Sequence, residues 1–335
     1  MKLPILSAIF AITAAARFSH AAEAPAPLPP VPSERQMTWH TMEQYAFIHF
    51  GLNTYTGRNW GYGDEDPKLF DPKEFDADKI VAALKAGGLK GVILTAKHHD
   101  GFCLWPTKTT EHNITKTPFR NGKGDVVREI GDACRRAGLK FGIYVSPWDR
   151  NNAEYARPGY VKVYHEQIRE LLTGYGELFE VWFDGANGGD GWYGGTKEKR
   201  SIDSKTYYEW DKVIAMIRKE QPNAAIFGTT AGDIRWVGNE KGYAAKESRP
   251  TLLQKNKFGV ENKESLISGD KEGDTWCPAE CDVSIRPEWF WIEAENTRVR
   301  TPRNLLELYF RSVGHGGSFL LNVPPDTRGV VNESD

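Results

Sequence analysis

From about residue 40 onward, apolar runs of strand length alternate with longer segments in which apolar residues recur at helical spacing. Short runs rich in Val, Ile, Phe and Trp favour β-strands, whereas a spacing of three and four residues favours amphipathic helices. The predicted strands are 45–50, 90–95, 140–145, 178–183, 225–228, 234–237 and 318–323. The predicted helices are 76–87, 124–138, 161–174, 206–220 and 303–313.

This alternation predicts βαβ units and a parallel sheet. Seven or eight strands within one long domain favour closure of the sheet. We therefore predict an α/β fold, a (β/α)8-like TIM barrel that forms a catalytic domain over residues 38–335. The region 241–302 fits this pattern least, because it is rich in charged residues, Trp and Pro.

The apolar run 178–183 ends in a carboxylate, Asp184, and Gly185 follows directly. A carboxylate at the tip of a buried strand costs desolvation energy unless hydrogen bonds or cations hold its charge. In parallel barrels, catalytic groups lie at the C-terminal strand ends. The alternative is a helix N-cap, a common place for Asp at a strand-to-helix turn. The other strand ends favour the catalytic interpretation.

Polar side chains capable of chemistry stand at the ends of several predicted strands. These residues are His49, His98, His99, Tyr144, Asp184 and Glu240. Because parallel strands end on one face of a barrel, we expect a single pocket with hydrogen-bonding groups and two carboxylates. A neutral sugar, rich in hydroxyls, suits this set. For His49 alone, the more common alternative is a buried packing residue.

Composition narrows the class of partner. The formal net charge of −2 argues against a nucleic acid, which favours a basic patch or stripe. The chain contains 11 Trp, 13 Tyr and 16 Phe, and Trp60 and Trp236 stand beside polar strand ends, where their faces can stack on sugar rings. Packing in the core explains many of the other aromatics.

The sequence predicts no metal and no cofactor. His98 and His99 could bind zinc or nickel, but neighbouring strand residues point to opposite faces, so a bulge or loop would be needed. Cys277 and Cys281 have a C-x3-C spacing without a second ligand pair nearby. An oxidising compartment could pair the four cysteines of the chain or leave them free.

The N-terminus has the pattern of an export signal. Lys2 precedes an apolar stretch over 3–16, and small residues precede a cleavage site after Ala21. We predict a signal peptide over 1–21, a Pro-rich linker over 22–37, and an exported, periplasmic or secreted protein. The apolar stretch is short for a membrane span, and no later run is long enough.

Taken together, these segments resemble the α-L-fucosidases of glycoside hydrolase family 29. The resemblance covers about residues 38–329. The motifs that carry it are 47–54, 96–105, 144–149, 181–185, 236–240 and 276–286. The last two are similar to those of the subfamily that prefers α-1,3/1,4-fucosyl linkages on branched oligosaccharides.

The resemblance implies a retaining exo-α-L-fucosidase acting on a fucosylated glycan. Asp184 matches the nucleophile of the family, and Glu240 matches the general acid/base of the subfamily. The positions that match sugar-binding residues are His49, His98, His99 and Tyr144. In such a mechanism one carboxylate attacks the anomeric carbon, and its charge helps to raise the pKa of the acid that protonates the leaving oxygen.

Two positions leave alternatives open. Asn59, followed by Trp60, stands where the family pattern has a Glu whose carboxylate bonds ring hydroxyls. The change either weakens a sugar contact or is matched by local changes. Glu280 is a competing acid in a predicted polar loop, where pairing with Arg286 is the structural alternative. We rank Glu240 above Glu280 because Glu240 directly follows a predicted strand.

Two other functions are alternatives to a fucosidase. An α-galactosidase would use a similar barrel with different strand-end motifs. The other alternative is a catalytically weak or inactive barrel that binds fucosyl glycans. Such a protein would bind a fucoside tightly without turnover, and Asn59 would be the first indication that catalytic activity has been lost.

Overall fold

The computed structural model describes residues 24–229, 232–256 and 262–335, so the predicted signal peptide lies outside the described residues. The described part of the chain contains strands β1 (Gln44–Ile48), β2 (Gly91–Lys97), β3 (Lys140–Val145), β4 (Glu180–Trp182), β5 (Gly189–Gly191), β6 (Glu198–Arg200), β7 (Ala225–Phe227), β8 (Arg235–Trp236), β9 (Thr251–Leu252), β10 (Thr275–Trp276), β11 (Ala279–Ser284) and β12 (Ser318–Asn322).

Eight of these strands form one sheet in the order β7-β4-β3-β2-β1-β12-β11-β8, and every pair in it is parallel. A bridge between Phe227 and Ile234 brings the two outer strands together and nearly closes the barrel. We call this junction between β7 and β8 the seam. The predicted (β/α)8 barrel is confirmed.

Asp233 fastens the seam. Its backbone N–H donates to Ile226 O at 2.8 Å, and its Oδ2 accepts from Ile226 N at 2.9 Å. Arg35 donates to Asp233 Oδ1 at 3.0 Å, and Arg218 donates to Oδ2 at 2.6 Å. The weak backbone pairing of the seam is thus supplemented by one buried carboxylate.

The helices of the described chain are α1 (Glu34–His40), α2 (Leu52–Thr56), α3 (Ala77–Ala86), α4 (Val126–Ala137), α5 (Pro158–Gly174), α6 (Trp210–Glu220), α7 (Lys263–Ser268) and α8 (Pro302–Ser312). Their ends follow local chemistry. Asp76 begins α3 by accepting from Lys79 N at 3.1 Å, and Gly87 ends it. Asp125 does the same for α4, which ends at Gly138 in the left-handed conformation.

The folded region begins inside the predicted linker. Ser33 caps α1 with a capping box, so the helix starts before the expected domain boundary at residue 38. Trp39 of this helix donates from Nε1 to Glu180 Oε2 at 2.9 Å. Since Glu180 is the first residue of β4, α1 packs across the N-terminal end of the barrel.

The region 241–302, which the sequence pattern fitted least, contains the strand β11. In β11, Glu280, Asp282 and Ser284 alternate with apolar residues, and all six positions are buried. Glu280 is therefore a strand residue, and the predicted polar loop is wrong. The suggested pairing of Glu280 with Arg286 is also wrong, because Arg286 pairs with Asp335 at 2.9 Å.

The remaining sequence-based expectations concern cysteines and membranes. All four cysteines are buried and free, so none forms a disulfide. Within the described part of the chain, no helix combines the length and the apolar character needed to cross a bilayer.

Candidate active site

A cavity of about 530 Å³ opens at the C-terminal ends of the barrel strands. Eight of the ten predicted site residues line it. They are His49, Trp60, His98, His99, Tyr144, Asp184, Trp236 and Glu240. Asn59 and Glu280 are not among the lining residues. All six strand-end residues therefore lie on the cavity, whereas Asn59 and Glu280, which were proposed on other grounds, do not line it.

Asp184 follows β4 and keeps 25 % of its side-chain surface exposed. Its Oδ2 accepts from Tyr144 OH at 3.1 Å, and its Oδ1 accepts from Ala186 N at 2.6 Å. Burial raises the pKa of Asp184, and these two hydrogen bonds oppose the rise. In the described chain the next α-helix after Asp184 is α6, which begins at Trp210, so Asp184 is not the helix cap considered above.

Glu240 lies on the exposed turn after β8. Trp289 donates from Nε1 to Glu240 Oε2 at 3.3 Å. Partial burial of the carboxyl over the cavity raises the pKa of Glu240, the charges of Asp184 and Glu288 raise it further, and the Trp289 hydrogen bond opposes them. The two carboxyls thus interact across one cavity while differing in surroundings.

His99 is neutral, so its 3.8 Å approach to Asp184 is not an ion pair. Burial, with the charges of Arg150 and Lys97, lowers the pKa of His99 to about 3. Its Nδ1 lies 2.7 Å from Ser146 Oγ, whose own proton goes to the carbonyl of Trp148 at 2.8 Å. His99 Nδ1 must therefore donate, which leaves Nε2 as an acceptor.

His49 is also neutral with an unprotonated Nε2, but here Asn322 determines which ring nitrogen carries the proton. Asn322 donates its amide to Ser284 Oγ and to Trp289 O, so its Oδ1 accepts from His49 Nδ1 at 2.9 Å. Burial lowers the pKa of His49 to about 3. Its Nε2 can consequently accept a hydrogen bond from a ligand hydroxyl.

His98 and His99 both line the cavity, with ring centroids 4.2 Å apart. The register of β2 against β3 shifts between Thr95 and Lys97, and the two histidines follow the strand. The strict alternation expected for neighbouring strand residues therefore does not apply to them. Burial also lowers the pKa of His98 well below its usual value, so three neutral imidazoles face the ligand space.

Aromatic rings form the floor and rim of the cavity. Trp182 stacks on Phe227 at 4.2 Å and on Tyr144 at 5.1 Å between ring centroids. Trp60 stands at the rim, 51 % exposed, with its ring 5.1 Å from that of His99. These rings offer flat apolar faces next to the histidine acceptors.

Glu280 supports this floor from below. Its Oε1 accepts from Trp182 Nε1 at 2.7 Å, and its Oε2 accepts a short hydrogen bond from Tyr45 OH. Burial raises the pKa of Glu280, and it raises the pKa of its neighbour Glu180 well above the usual range. Glu280 is therefore a buried residue that positions Trp182.

Asp282 is a cavity residue for which the sequence argument proposed no role. It lies in β11, lines the cavity and accepts from Trp236 Nε1 at 2.9 Å through Oδ1. Burial, then the charges of Glu240 and Glu280, raise its pKa well above the usual range. Its alternation with Cys281 and Val283 was the available signal, since successive residues of a strand point to opposite faces of the sheet.

Asn59 makes contacts that no sequence pattern indicated. Its Oδ1 accepts from Trp289 N at 2.9 Å and from Phe290 N at 3.4 Å, and its Nδ2 donates a short hydrogen bond to Glu288. Both ends of the amide are engaged within the protein. Among the described residues, no group of three or more His, Cys, Asp or Glu side chains could hold a metal ion.

Comparison with known proteins identifies the family of the chain. A model of the alpha-L-fucosidase family matches residues 18–335. The chain is 42 % identical over 313 residues to Alpha-L-fucosidase 1 of Arabidopsis thaliana, which covers 93 % of this chain and 59 % of the plant protein. It is 30 % identical to human plasma alpha-L-fucosidase over 88 % of this chain and 58 % of the human protein.

Solved structures give the same result. A glycoside hydrolase 29 family member from an unknown rumen bacterium superposes with a TM-score of 0.88 at 50 % identity, covering 91 % of this chain and 55 % of that one. A Ruminococcus gnavus GH29 fucosidase in complex with fucose superposes with a TM-score of 0.82 at 33 % identity, covering 94 % of this chain and 67 % of that one. The chain spans about 59 % of the length of the plant relatives it matches.

Proposed function

Because this chain belongs to the α-L-fucosidase family of glycoside hydrolases, we propose that it is a retaining exo-α-L-fucosidase. In this proposal Asp184 is the nucleophile and Glu240 is the general acid/base. The observation that carries it is the pair of carboxyls on one cavity, where the charge of Asp184 raises the pKa of Glu240. One group is thereby favoured as the anion and the other as the acid.

The first step forms a glycosyl ester. A carboxylate oxygen of Asp184 bonds to the anomeric carbon, the bond from that carbon to the leaving oxygen breaks, and the proton of Glu240 passes to this oxygen. Tyr144 OH and Ala186 N hold Asp184 in place for the attack. Protonation of the leaving oxygen matters most when the departing alkoxide is basic.

The second step releases the sugar. Once Asp184 is esterified its charge is gone, and one cause of the raised pKa of Glu240 disappears with it. Glu240 is then a carboxylate that takes a proton from water, and the water oxygen displaces Asp184 from the anomeric carbon. Two displacements at the same carbon return the original configuration.

Neutral hydrogen-bond acceptors support a sugar as the ligand. His49 and His99 each offer an unprotonated Nε2, and Trp60 and Trp182 offer aromatic surface. Acceptors suit the hydroxyls of fucose, and the aromatic surface suits its C5 methyl group. The bound fucose in the Ruminococcus gnavus relative supports the same choice.

The breadth of the cavity supports an oligosaccharide rather than a simple fucoside. Beyond Asp184 and Glu240, its lining extends to Ser204, Arg235 and Leu266. We infer that this part holds the sugars from which fucose is removed, with α-1,3 or α-1,4 linkages on branched chains as the preferred substrates.

We also infer export after removal of residues 1–21. Mass analysis of the secreted protein would test this by finding Ala22 as the first residue.

The central test combines product stereochemistry with one variant. Proton NMR of the first product released from Lewis-type trisaccharides should show α-fucose, and blood-group H and aryl fucosides should react more slowly. Asp184→Asn should abolish turnover while leaving the melting temperature nearly unchanged. A β-configured first product would refute retention. Tight binding of fucosides by the unaltered protein without turnover would instead identify the inactive glycan-binding barrel.

A further inference from the structure

We call residues 288–290 the 288–290 segment. From one side, Asn59 forms hydrogen bonds to all three of these residues. Asn59 accepts from the backbone N–H groups of Trp289 and Phe290, and it donates to the carboxylate of Glu288. One amide side chain therefore makes three hydrogen bonds to three successive residues. Any replacement that cannot both donate and accept leaves at least one of these groups unpaired.

The opposite side of the segment is fastened through the barrel. Asn322 donates to Trp289 O at 2.8 Å and to Ser284 Oγ at 2.9 Å. Ser284 in turn donates to Glu288 O at 2.8 Å. Because Asn322 belongs to β12 and Ser284 to β11, the segment is tied to the rigid sheet as well as to the loop that carries Asn59.

The 288–290 segment holds the proposed proton donor, Glu240, through Trp289. Glu240 lies on an exposed turn, and the hydrogen bond from Trp289 Nε1 is the one its carboxyl makes within the described part of the chain. Trp289 also packs against His49, with 5.0 Å between ring centroids. The position of Glu240 over the cavity thus depends on where Trp289 is held.

Acidic groups face Glu240 from three directions. Asp184 approaches from the end of β4, Glu288 from the 288–290 segment, and Asp282 from β11. Glu288 is the one whose charge is directly engaged by Asn59. A change at Asn59 would therefore alter both the position of Trp289 and the surroundings of the Glu288 charge.

We propose that Asn59 and Glu288 form a positioning pair for the general acid/base, with Asn59 fixing the 288–290 segment so that Trp289 holds Glu240 over the leaving oxygen. This inference rests on the proposed role of Glu240. It assigns to Asn59 a function in proton transfer rather than in sugar binding. The Asn at this position is thus matched by a carboxylate at residue 288, which the amide bonds directly.

A double-mutant cycle tests the pair. Asn59→Asp keeps the size and the acceptor of the side chain but sets a second carboxylate against Glu288. It should lower kcat/KM on a Lewis-type trisaccharide about tenfold, the scale of one charge-assisted hydrogen bond. Adding Glu288→Gln supplies a donor to the new acceptor and should recover most of that loss. KM should change less than kcat.

The pH profile separates positioning from a merely structural effect. The falling limb of kcat/KM reports the pKa of the free acid. Asn59→Asp adds negative charge and weakens the Trp289 hydrogen bond, so both changes should move this limb to higher pH. Trp289→Phe should move it in the same direction, whereas Glu288→Gln removes a negative charge and should move it to lower pH.

Activated nitrophenyl fucosides provide a second readout, because they need little proton donation. Asn59→Asp should impair them much less than the trisaccharide. Asn223→Asp, an exposed change in the turn after α6, is the matched control and should leave both rates unchanged. Melting temperatures of all variants separate misfolding from altered chemistry.

Two results would overturn the proposal: an unshifted falling limb with a raised KM in Asn59→Asp, or a double variant no better than the single one. Failure of the proposed function would look different. If Glu240→Gln itself retains the falling limb, Glu240 is not the acid. If Glu240→Gln loses the limb while Asn59→Asp keeps it, only the positioning role of the pair is refuted.

Discussion

At the scale of single residues, the hydroxyl of Tyr144 is one of two donors that oppose the effect of burial on the pKa of Asp184. Tyr144 donates to Asp184 Oδ2 at 3.1 Å, and this bond lowers a pKa that burial raises. The ionised form is the nucleophile in the proposed mechanism. Tyr144 therefore acts on the rising limb of the pH profile, where Asp184 loses its proton.

Tyr144→Phe should move that rising limb to higher pH. Without the hydroxyl the carboxylate loses a donor, so its pKa rises and more of the enzyme is inactive at low pH. Below the pH optimum we expect kcat/KM to fall by about tenfold, and by less above it. Tyr207→Phe, whose hydroxyl bonds Arg157 O away from the cavity, is the control. An unmoved limb would show that Tyr144 does not act through Asp184.

The two candidate acids can be separated by leaving group. Glu240→Ala should slow oligosaccharides by roughly a hundredfold or more but spare nitrophenyl fucosides, because proton donation matters most for a basic leaving group. Glu280→Gln instead presents an amide donor to Tyr45 or Trp182 and should lower stability by about 1–3 kcal/mol. The rates on oligosaccharides and on nitrophenyl fucosides should then fall by similar factors. The opposite pattern in parallel assays would return the acid role to Glu280.

At the scale of elements, the carboxyls of Glu180 and Glu280 join α1, β4 and β11 inside the N-terminal end of the barrel. Burial and the charge of Glu280 raise the pKa of Glu180, so the folded state keeps a proton that the unfolded state loses. Above the ordinary glutamate pKa of about 4.3, the free energy of unfolding therefore declines as pH rises toward the folded pKa.

Glu180→Gln should reduce this decline. The amide oxygen can still accept from Trp39, and the side chain no longer titrates. We expect the melting temperature of the variant to fall less than that of the unaltered protein between pH 5 and pH 8. Glu177→Gln, exposed just before β4, should leave the slope unchanged. Equal slopes in all three proteins would mean that Glu180 is ionised in the fold.

The elements that the sequence predicts best have local signals at both ends. Asp76 and Gly87 mark α3 almost to the residue. β11 was missed because its polar residues, Glu280 and Asp282, face the barrel interior, whereas sequence reasoning assigns charge to solvent-exposed loops. The contact of Asn59 with Glu288 joins positions 229 residues apart, so no local pattern encodes it.

At the scale of the whole molecule, the barrel depends on Asp233 at the seam. Removing this buried carboxylate in Asp233→Ala leaves Arg35, Arg218 and Ile226 N without their acceptor. We expect a loss of about 2 kcal/mol in the free energy of unfolding, measured in urea. Asp78→Ala breaks an exposed pair with Arg136 and should cost well under about 1 kcal/mol. Equal losses would mean that the seam is not a weak junction.

The seam also lies between the strands that carry the two proposed catalytic carboxyls. Asp184 follows β4, which lies beside β7 on one side, whereas Glu240 follows β8 on the other. Transient opening of the barrel at this junction would change the distance between the carboxyls of Asp184 and Glu240 without disturbing β4 or β8. Amide hydrogens of 225–227 and 234–236 should therefore exchange faster than those of β2 or β3. A sugar that contacts both carboxyls bridges the seam. Bound fucose should therefore slow amide hydrogen exchange more strongly at the seam than elsewhere in the barrel.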